Sequence, residues 1–398
     1  MQKFNYPKEI RDPITAIFNT PPPPAGEDED CLNLNVFAPS APTASKLKPV
    51  LFWLYGGAYS FGSGSLSMYD GSHFAAKQDV VIVTSNYRTN IFGFPGYPGQ
   101  PSKEQNLGYV FITRSTKEAV LTDVLTSFDS LLDQRLALNW TRNNIKAFGG
   151  DPEKVTIFGE SAGAGSVDIL VTNPPIPLPF RAAIMESGQA SIVTQNTDSK
   201  TSWNKLAANL TKTPQEAVDI VRDMPPKQLQ TLIEELALNF SPVKGDSVTW
   251  SSTPRKNRKD STEANPIIAR VPILIGSNAD EGTIYATPAN AAAYGLFSFQ
   301  CPAKYVAEES QAAVIPTWRY YYNAVFPNNT PFQGAGAFHS SEIPEVFGTY
   351  KDGATERQKE LSEAMMKAWA DFARNPTQGP GWGQVPKVGV FGGEDRVC

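Results

Sequence analysis

Seven segments of the chain are almost wholly apolar or β-branched, and most are closed by glycine, proline or a polar cluster. They are LNLNVFAP, PVLFWLYGG, VVIVTSNYR, VTIFGES, RAAIMESG, VPILIGSN and TWRYYYNAVF. Several are continuous apolar runs, which suit strands covered on both faces, as in a parallel sheet. Between the runs the period changes. LLDQRLALNWTRNNIKAFG has apolar residues at 132, 136, 138, 140 and 145 and stops at Gly149-Gly150, which predicts a helix. ERQKELSEAMMKAWADFARN predicts a second, with apolar positions 361, 365, 366, 369 and 372. Strand and helix alternate, so the expected fold is α/β with a mostly parallel central sheet flanked by helices. The polar segment 251–266 reads as a solvated loop, and residues 1–28 as an extended arm before a single domain over 29–398.

Composition narrows the function. A chain of 398 residues is long enough for a sizeable core. Its net charge of −5 is too mild to point to nucleic acid or an anionic membrane surface. No run of 18 apolar residues marks a membrane span, and the start MQKFNYPKEIRDP lacks a signal-peptide pattern. Cys31, Cys301 and Cys398 are widely spaced and form no metal motif. One long-range bridge or three free thiols both fit them. The triplets at Asn139, Asn209, Asn239 and Asn328 are glycosylation acceptors by pattern only. These features leave a small-molecule substrate and call for no cofactor.

The stretch VTIFGESAGAG carries the first chemistry. A strand-like run is followed by Gly159 and Gly163 around Ser161, in the pattern G-x-S-x-G. A sharp strand-to-helix turn there would lift the Ser161 hydroxyl clear of the backbone. A serine hydroxyl needs a base, usually histidine, and the base needs a carboxylate to orient it. The chain has two histidines, and only His339 follows Ser161, as this scaffold requires. His73, in DGSHFAAK, reads as structural at a helix start. The acid is expected after a late strand, and VPILIGSNADEGT offers Asp280 and Glu281 equally. The Gly56-Gly57-Ala58 turn after another strand could aim bare amides at a developing oxyanion. Gly57 and Ala58, with the amide of Ala162, make a three-donor set.

Together these residues are similar to those of the type-B carboxylesterases, the family of cholinesterases and fungal lipases with the α/β-hydrolase fold. The matching stretches are EDCLNLNVFAPS, LFWLYGGAYSFGSG, VVIVTSNYRTNIFGFPG, LDQRLALNWTRNNIKAFGGDPEKVTIFGESAGAGSV, FRAAIMESGQAS, PILIGSNADEGT and SEIPEVFGTY. The resemblance implies Ser161 as nucleophile, Glu281 as triad acid and His339 as base, acting on a small-molecule or lipid carboxylic ester. It also implies that Glu160 is a buried acid, which either tunes the site or satisfies local hydrogen bonds. It favours secretion, and an N-terminal segment whose cysteine pairs with Cys31.

The chain departs from this pattern in three ways. Its N-terminal segment is short and lacks that cysteine. An insert at 109–131 separates Asn106-Leu107-Gly108 from Leu132-Asp133-Gln134-Arg135. Glu281 and His339 are closer in sequence than in the family, which leads us to expect an open or incomplete acyl pocket. A retained, unspliced segment would explain the insert. The alternative to an esterase is an inactive binding module of the same fold or a defective gene product. A nucleotide-binding reading fails because YGGAYSFGSGS contains neither phosphate-loop pattern. GLFSFQCPA and Trp318 to Tyr322 are expected in core packing, or else lining the pocket.

Overall fold

The structure, a computed structural model, describes residues 27–40, 47–98, 130–195, 199–245 and 248–393. Almost all of the expected arm, and the expected insert up to residue 129, lie outside the described residues. Eight strands form one sheet: β1 (Leu34–Phe37), β2 (Lys48–Leu54), β3 (Val81–Ser85), β4 (Gly150–Glu160), β5 (Ala182–Glu186), β6 (Ile273–Asn278), β7 (Thr317–Tyr322) and β8 (Val388–Phe391). Their order is β1-β3-β2-β4-β5-β6-β7-β8. Only β1 runs antiparallel to its neighbour.

The seven apolar runs are seven of these strands, for the reason their composition gives. Val50 to Leu54, Val81 to Val83, Ala182 to Met185 and Ile273 to Ile275 are all fully buried, because helices cover both faces of the sheet. Trp318, Tyr320 and Tyr322 of β7 are core residues. The chain leaves β2 for β3 on one side and returns to β4 on the other, so the order reverses between β2 and β4. Such a switch point opens a crevice at the carboxyl ends of the two strands.

The helix Glu356–Arg374 buries Met365, Met366, Trp369 and Phe372, the face its periodicity predicts. The helix Ser130–Asn144 does not follow its apolar stripe. Leu136 and Trp140 are exposed, while Asp133, Gln134, Leu138 and Thr141 are buried. Polar partners explain the inversion: Asp133 takes a two-pronged ion pair from Arg88, and Gln134 donates to Ser166 Oγ at 3.0 Å. The segment expected to be a solvated loop contains a helix, Pro254–Asp260, with Arg258 1% exposed and paired to the equally buried Asp168.

Helices Ser199–Asn209, Pro214–Arg222 and Pro226–Glu235 pack a separate small core around Trp203, Val221 and Leu229. His73 sits in the first turn of Ser72–Gln78 against Gly348, a structural place. Cys31 and Cys301 are free thiols. Among the described residues no helix is long and apolar enough to cross a membrane.

The Arg258–Asp168 pair ties the helix after β4 to the helix before β6. Asp168→Ala leaves a buried guanidinium without a counter-charge and is expected to cost about 3–5 kcal/mol, read from the urea midpoint. An Asp168→Leu/Arg258→Met double variant should recover most of that loss. If Asp168→Ala unfolds at the wild-type midpoint, the pair contributes nothing.

Candidate active site

Ser161 ends β4 and caps the helix Ala162–Thr172 at φ 54°, ψ −120°. A residue with a side chain holds that conformation only when its surroundings impose it. Here the amide of Ser161 donates to Glu186 O at 2.9 Å, and its carbonyl accepts from Gly165 N at 2.9 Å. The flanking glycines are needed for space. A Cβ on Gly163 would lie 1.9 Å from Leu54 O, and one on Gly159 2.6 Å from the same oxygen. The helix is thus pressed against the end of β2.

Beyond β2 the chain turns through Gly57 (φ 110°), Ala58 (φ 53°) and Tyr59 (φ 59°), three consecutive left-handed residues. The turn closes on the Gly57 carbonyl, which accepts from Ser60 N at 2.9 Å. Among the described residues, the amides of Gly57, Ala58 and Ala162 donate to no protein acceptor. Ser161 and this loop therefore meet at the crevice between β2 and β4.

Asp280 and Glu281, equal by sequence, do different work. Asp280 anchors a loop: its carboxylate accepts from Ala337 N at 2.9 Å, and its amide donates to Ala337 O at 2.9 Å. Glu281 meets the imidazole: its Oε2 lies 2.6 Å from His339 Nδ1. Its other oxygen accepts from Asn278 N at 2.8 Å. Both Glu281 and His339 are buried.

The structure does not join His339 to Ser161 by a hydrogen bond. Nε2 stands 3.0 Å from Glu160 Oε1 without hydrogen-bond alignment. Ser161 is 6% exposed and His339 1%. Tyr285 and Phe299 pack on the imidazole, with ring centroids 5.2 Å and 4.6 Å away. Phe299 comes from GLFSFQCPA, so that stretch does reach the site.

Glu160, Glu186 and Glu342 surround this arrangement, all buried. Burial raises Glu160 to about 7, against the pull of His339 and of the Ser340 hydroxyl, which donates to it at 2.5 Å. Burial, reinforced by Glu160 and Glu281, raises Glu342 to about 8. Burial and then Glu342 push Glu186 well above the usual carboxylate range. For His339 burial works downward, yet Glu160 and Glu281 outweigh it and lift the imidazole to about 9. The buried acid expected at 160 is therefore both a partner to its surroundings and an electrostatic influence on the ring.

Sequence reasoning passed over Tyr285, Ser340 and Glu342. Glu342 follows His339 by three residues, and Tyr285 follows Glu281 by four. Glu342 also lies within the stretch SEIPEVFGTY.

The profile of the carboxylesterase family matches residues 6–112, 129–296 and 287–388. Para-nitrobenzyl esterase of Bacillus subtilis is 32% identical over 408 residues, spanning 89% of this chain and 77% of that protein. Secreted lipase 5 of Gibberella zeae is 29% identical, over 90% of this chain and 70% of its own. A solved para-nitrobenzyl esterase structure superposes with a TM-score of 0.69 at 28% identity, over 93% of this chain and 79% of its own. A carboxylesterase from Geobacillus stearothermophilus gives 0.71 at 25% identity, over 94% and 84%. The sheet is thus that of an α/β-hydrolase, and the chain belongs to the carboxylesterase family, serine hydrolases that act on carboxylic esters.

Proposed function

We propose that Ser161 is the nucleophile of an acyl-enzyme mechanism, His339 its general base and Glu281 the carboxylate that orients the ring. The amides of Gly57, Ala58 and Ala162 form the oxyanion hole in this reading. The substrate is a small-molecule or lipid carboxylic ester, and residues 29–398 act as one catalytic domain. The observation that carries the reading is the 2.6 Å contact between Glu281 and His339, buried at the carboxyl ends of the strands, where Ser161 is held at positive φ.

In the first half-reaction Ser161 Oγ attacks the ester carbonyl while Nε2 of His339 takes the hydroxyl proton. The carbonyl oxygen becomes an anion facing the three amides. Their freedom from other acceptors supports this role, since preorganised donors need no rearrangement when charge develops. Collapse expels the alcohol, protonated by His339, and leaves acyl-Ser161. Water attacks that ester with the same base, and the carboxylic acid departs. Glu281 accepts from Nδ1–H throughout, so Nε2 is the nitrogen that exchanges the proton.

In the resting site Nε2 faces Glu160 instead. Glu160 precedes Ser161 in the chain, and in this reading the ring turns so that Nε2 leaves Glu160 for the Ser161 hydroxyl. The turn is useful only when the ring is neutral, because an imidazolium cannot accept a proton.

Hydrolysis of p-nitrophenyl acetate tests the nucleophile. Ser161→Ala and His339→Ala are each expected to lower kcat by roughly 10⁴–10⁶-fold. A fluorophosphonate probe should label the wild type and spare Ser161→Ala. Turnover of Ser161→Ala at the wild-type rate would remove the assignment.

The pH profile tests the electrostatics. The free-enzyme imidazole titrates at about 9, so kcat/KM should rise with pH and level off near that value. After burial, which works the other way, the charge of Glu160 is the largest single influence holding the proton on His339, followed by the charge and the hydrogen bond of Glu281 and the charge of Glu342. Glu160→Gln should therefore move the rising limb to lower pH. A limb that stays in place would show that Glu160 does not act on the base.

A further inference from the structure

The proposed oxyanion donors sit on two separate elements. Gly57 and Ala58 belong to the loop after β2, and Ala162 opens the helix Ala162–Thr172. Three donors serve one oxygen only if the distance between loop and helix is held. On the near side the backbone holds it, since the helix is pressed through Gly163 on Leu54 O at the end of β2. Beyond that point the loop leaves through three left-handed residues, and among the described residues its donor amides bond to no protein acceptor. A contact past Ala58 must bring the loop back to the helix.

Tyr59 makes that contact. It is the third of the left-handed residues, at φ 59°, and Asn90 N donates to its carbonyl at 2.6 Å. Its ring is buried and meets Phe94 edge-on, with centroids 5.2 Å apart. The phenol reaches the helix after Ser161 at two neighbouring residues. Ser166 Oγ donates to Tyr59 Oη at 3.3 Å, and a Cβ on Gly165 would stand 2.8 Å from the same oxygen. Ser166 is itself held, because Gln134 Nε2 donates to its hydroxyl oxygen at 3.0 Å. That bond takes a lone pair of Ser166 and leaves its proton for the phenol. Ser166 lies about one helical turn from Ala162, so the contact links the Ala162 amide to the residue after Ala58.

We propose that Tyr59 and Ser166 are positioning residues: their contact fixes the separation between the two halves of the oxyanion hole. The proposal rests on Ser161 as nucleophile and on Gly57, Ala58 and Ala162 as the oxyanion donors. The ground-state ester carries no oxyanion, so a change in that separation is felt in the transition state and not in substrate binding. Gly165 gives the separation its lower limit. A methyl there closes on the phenol oxygen, whereas its next neighbours, Ile192 Cγ2 and Gln189 O, stand at 3.4 Å and 3.5 Å. Removing the phenol hydroxyl makes room for that methyl.

The experiment measures p-nitrophenyl acetate hydrolysis by the purified full chain, per site titrated with a fluorophosphonate. Tyr59→Phe and Ser166→Ala should each lower kcat about fivefold or more, with KM within about twofold of wild type. The double variant should fall less than about twofold below the weaker single one, because both changes remove one contact. An alkyl trifluoromethyl ketone gains an oxyanion when it adds to Ser161, so its affinity should weaken by about the factor lost in kcat/KM. Gly165→Ala keeps every atom of the contact and wedges it apart. It should lower kcat in the wild type, and cost less than about twofold when added to Tyr59→Phe. A merely structural contact would lower the urea midpoint and leave kcat per titrated site and ketone affinity unchanged. A kcat loss below fivefold in either single variant, or an unchanged ketone affinity, overturns the proposal. So do single losses that multiply in the double variant, or a Gly165→Ala loss undiminished by Tyr59→Phe. Failure of the nucleophile reading looks different: wild type shows no turnover above Ser161→Ala, and neither the probe nor the ketone binds.

Discussion

Two carboxyl groups, Glu186 and Glu342, are buried beside the carboxylates that face His339, and among the described residues no lysine or arginine is a main influence on them. Ionising a buried carboxyl without a counter-charge is costly, so such groups retain their protons instead. Neutral side-chain donors satisfy part of the remaining need. Trp369 donates to Glu186 at 2.7 Å, Ser187 to Glu342 at 3.3 Å, and Asn278 to the other Glu342 oxygen. The negative charge of the nest is thereby confined to the groups facing His339. Such a ring is strongly biased toward the imidazolium, which is the state the mechanism must create after proton transfer. The same bias opposes the neutral state in which the ring begins.

The backbone supplies the rest of the arrangement. The reversal of strand order between β2 and β4 brings the ends of two distant segments together. A helix starting at Ala162, pressed on Leu54 O, leaves Ser161 no conformation but one at positive φ. On the other side, β6 ends at Asn278, whose amide and side chain reach Glu281, Glu342 and Phe338 O. The acid, the base loop and the buried carboxyl are thus indexed to one residue. The Asp280 carboxylate at Ala337 performs the same service two residues before His339. Strand ends set the positions, and side-chain hydrogen bonds set the angles.

Much of this was legible in the chain because the relevant signals are local. A parallel strand covered on both faces writes itself as an apolar run, and seven strands did so. β8, four residues with Gly389 inside, is a sheet-edge strand whose residues are mostly half-buried, so it left no such run. The wrong face of Ser130–Asn144 has a different cause. Its buried side is polar because Arg88 and Ser166 come to meet it, and neither contact appears in the helix's own periodicity. Arg258 was hidden in the same way, since its partner Asp168 lies 90 residues earlier. The choice between Asp280 and Glu281 could not be made from spacing, because both carboxylates are used, for different neighbours. Glu160 was visible as an acid beside the serine, whereas its approach to Nε2 depends on the rotation of a ring.

The short path between Glu281 and His339 decides which elements lie on the imidazole. A span of 58 residues still holds the turn, the Pro288–Gly295 helix, the π-helical turn, Cys301–Ala312 and β7. The first of these elements lie directly on the site, and their side chains Tyr285 and Phe299 pack on the imidazole. In the resting state Nε2 has a substitute neighbour, Glu160 at 3.0 Å. The ring must leave it before the hydroxyl and the imidazole can meet. That reorganisation draws on binding energy from the ester itself, so an ester that contacts the site weakly is penalised in turnover as well as in affinity.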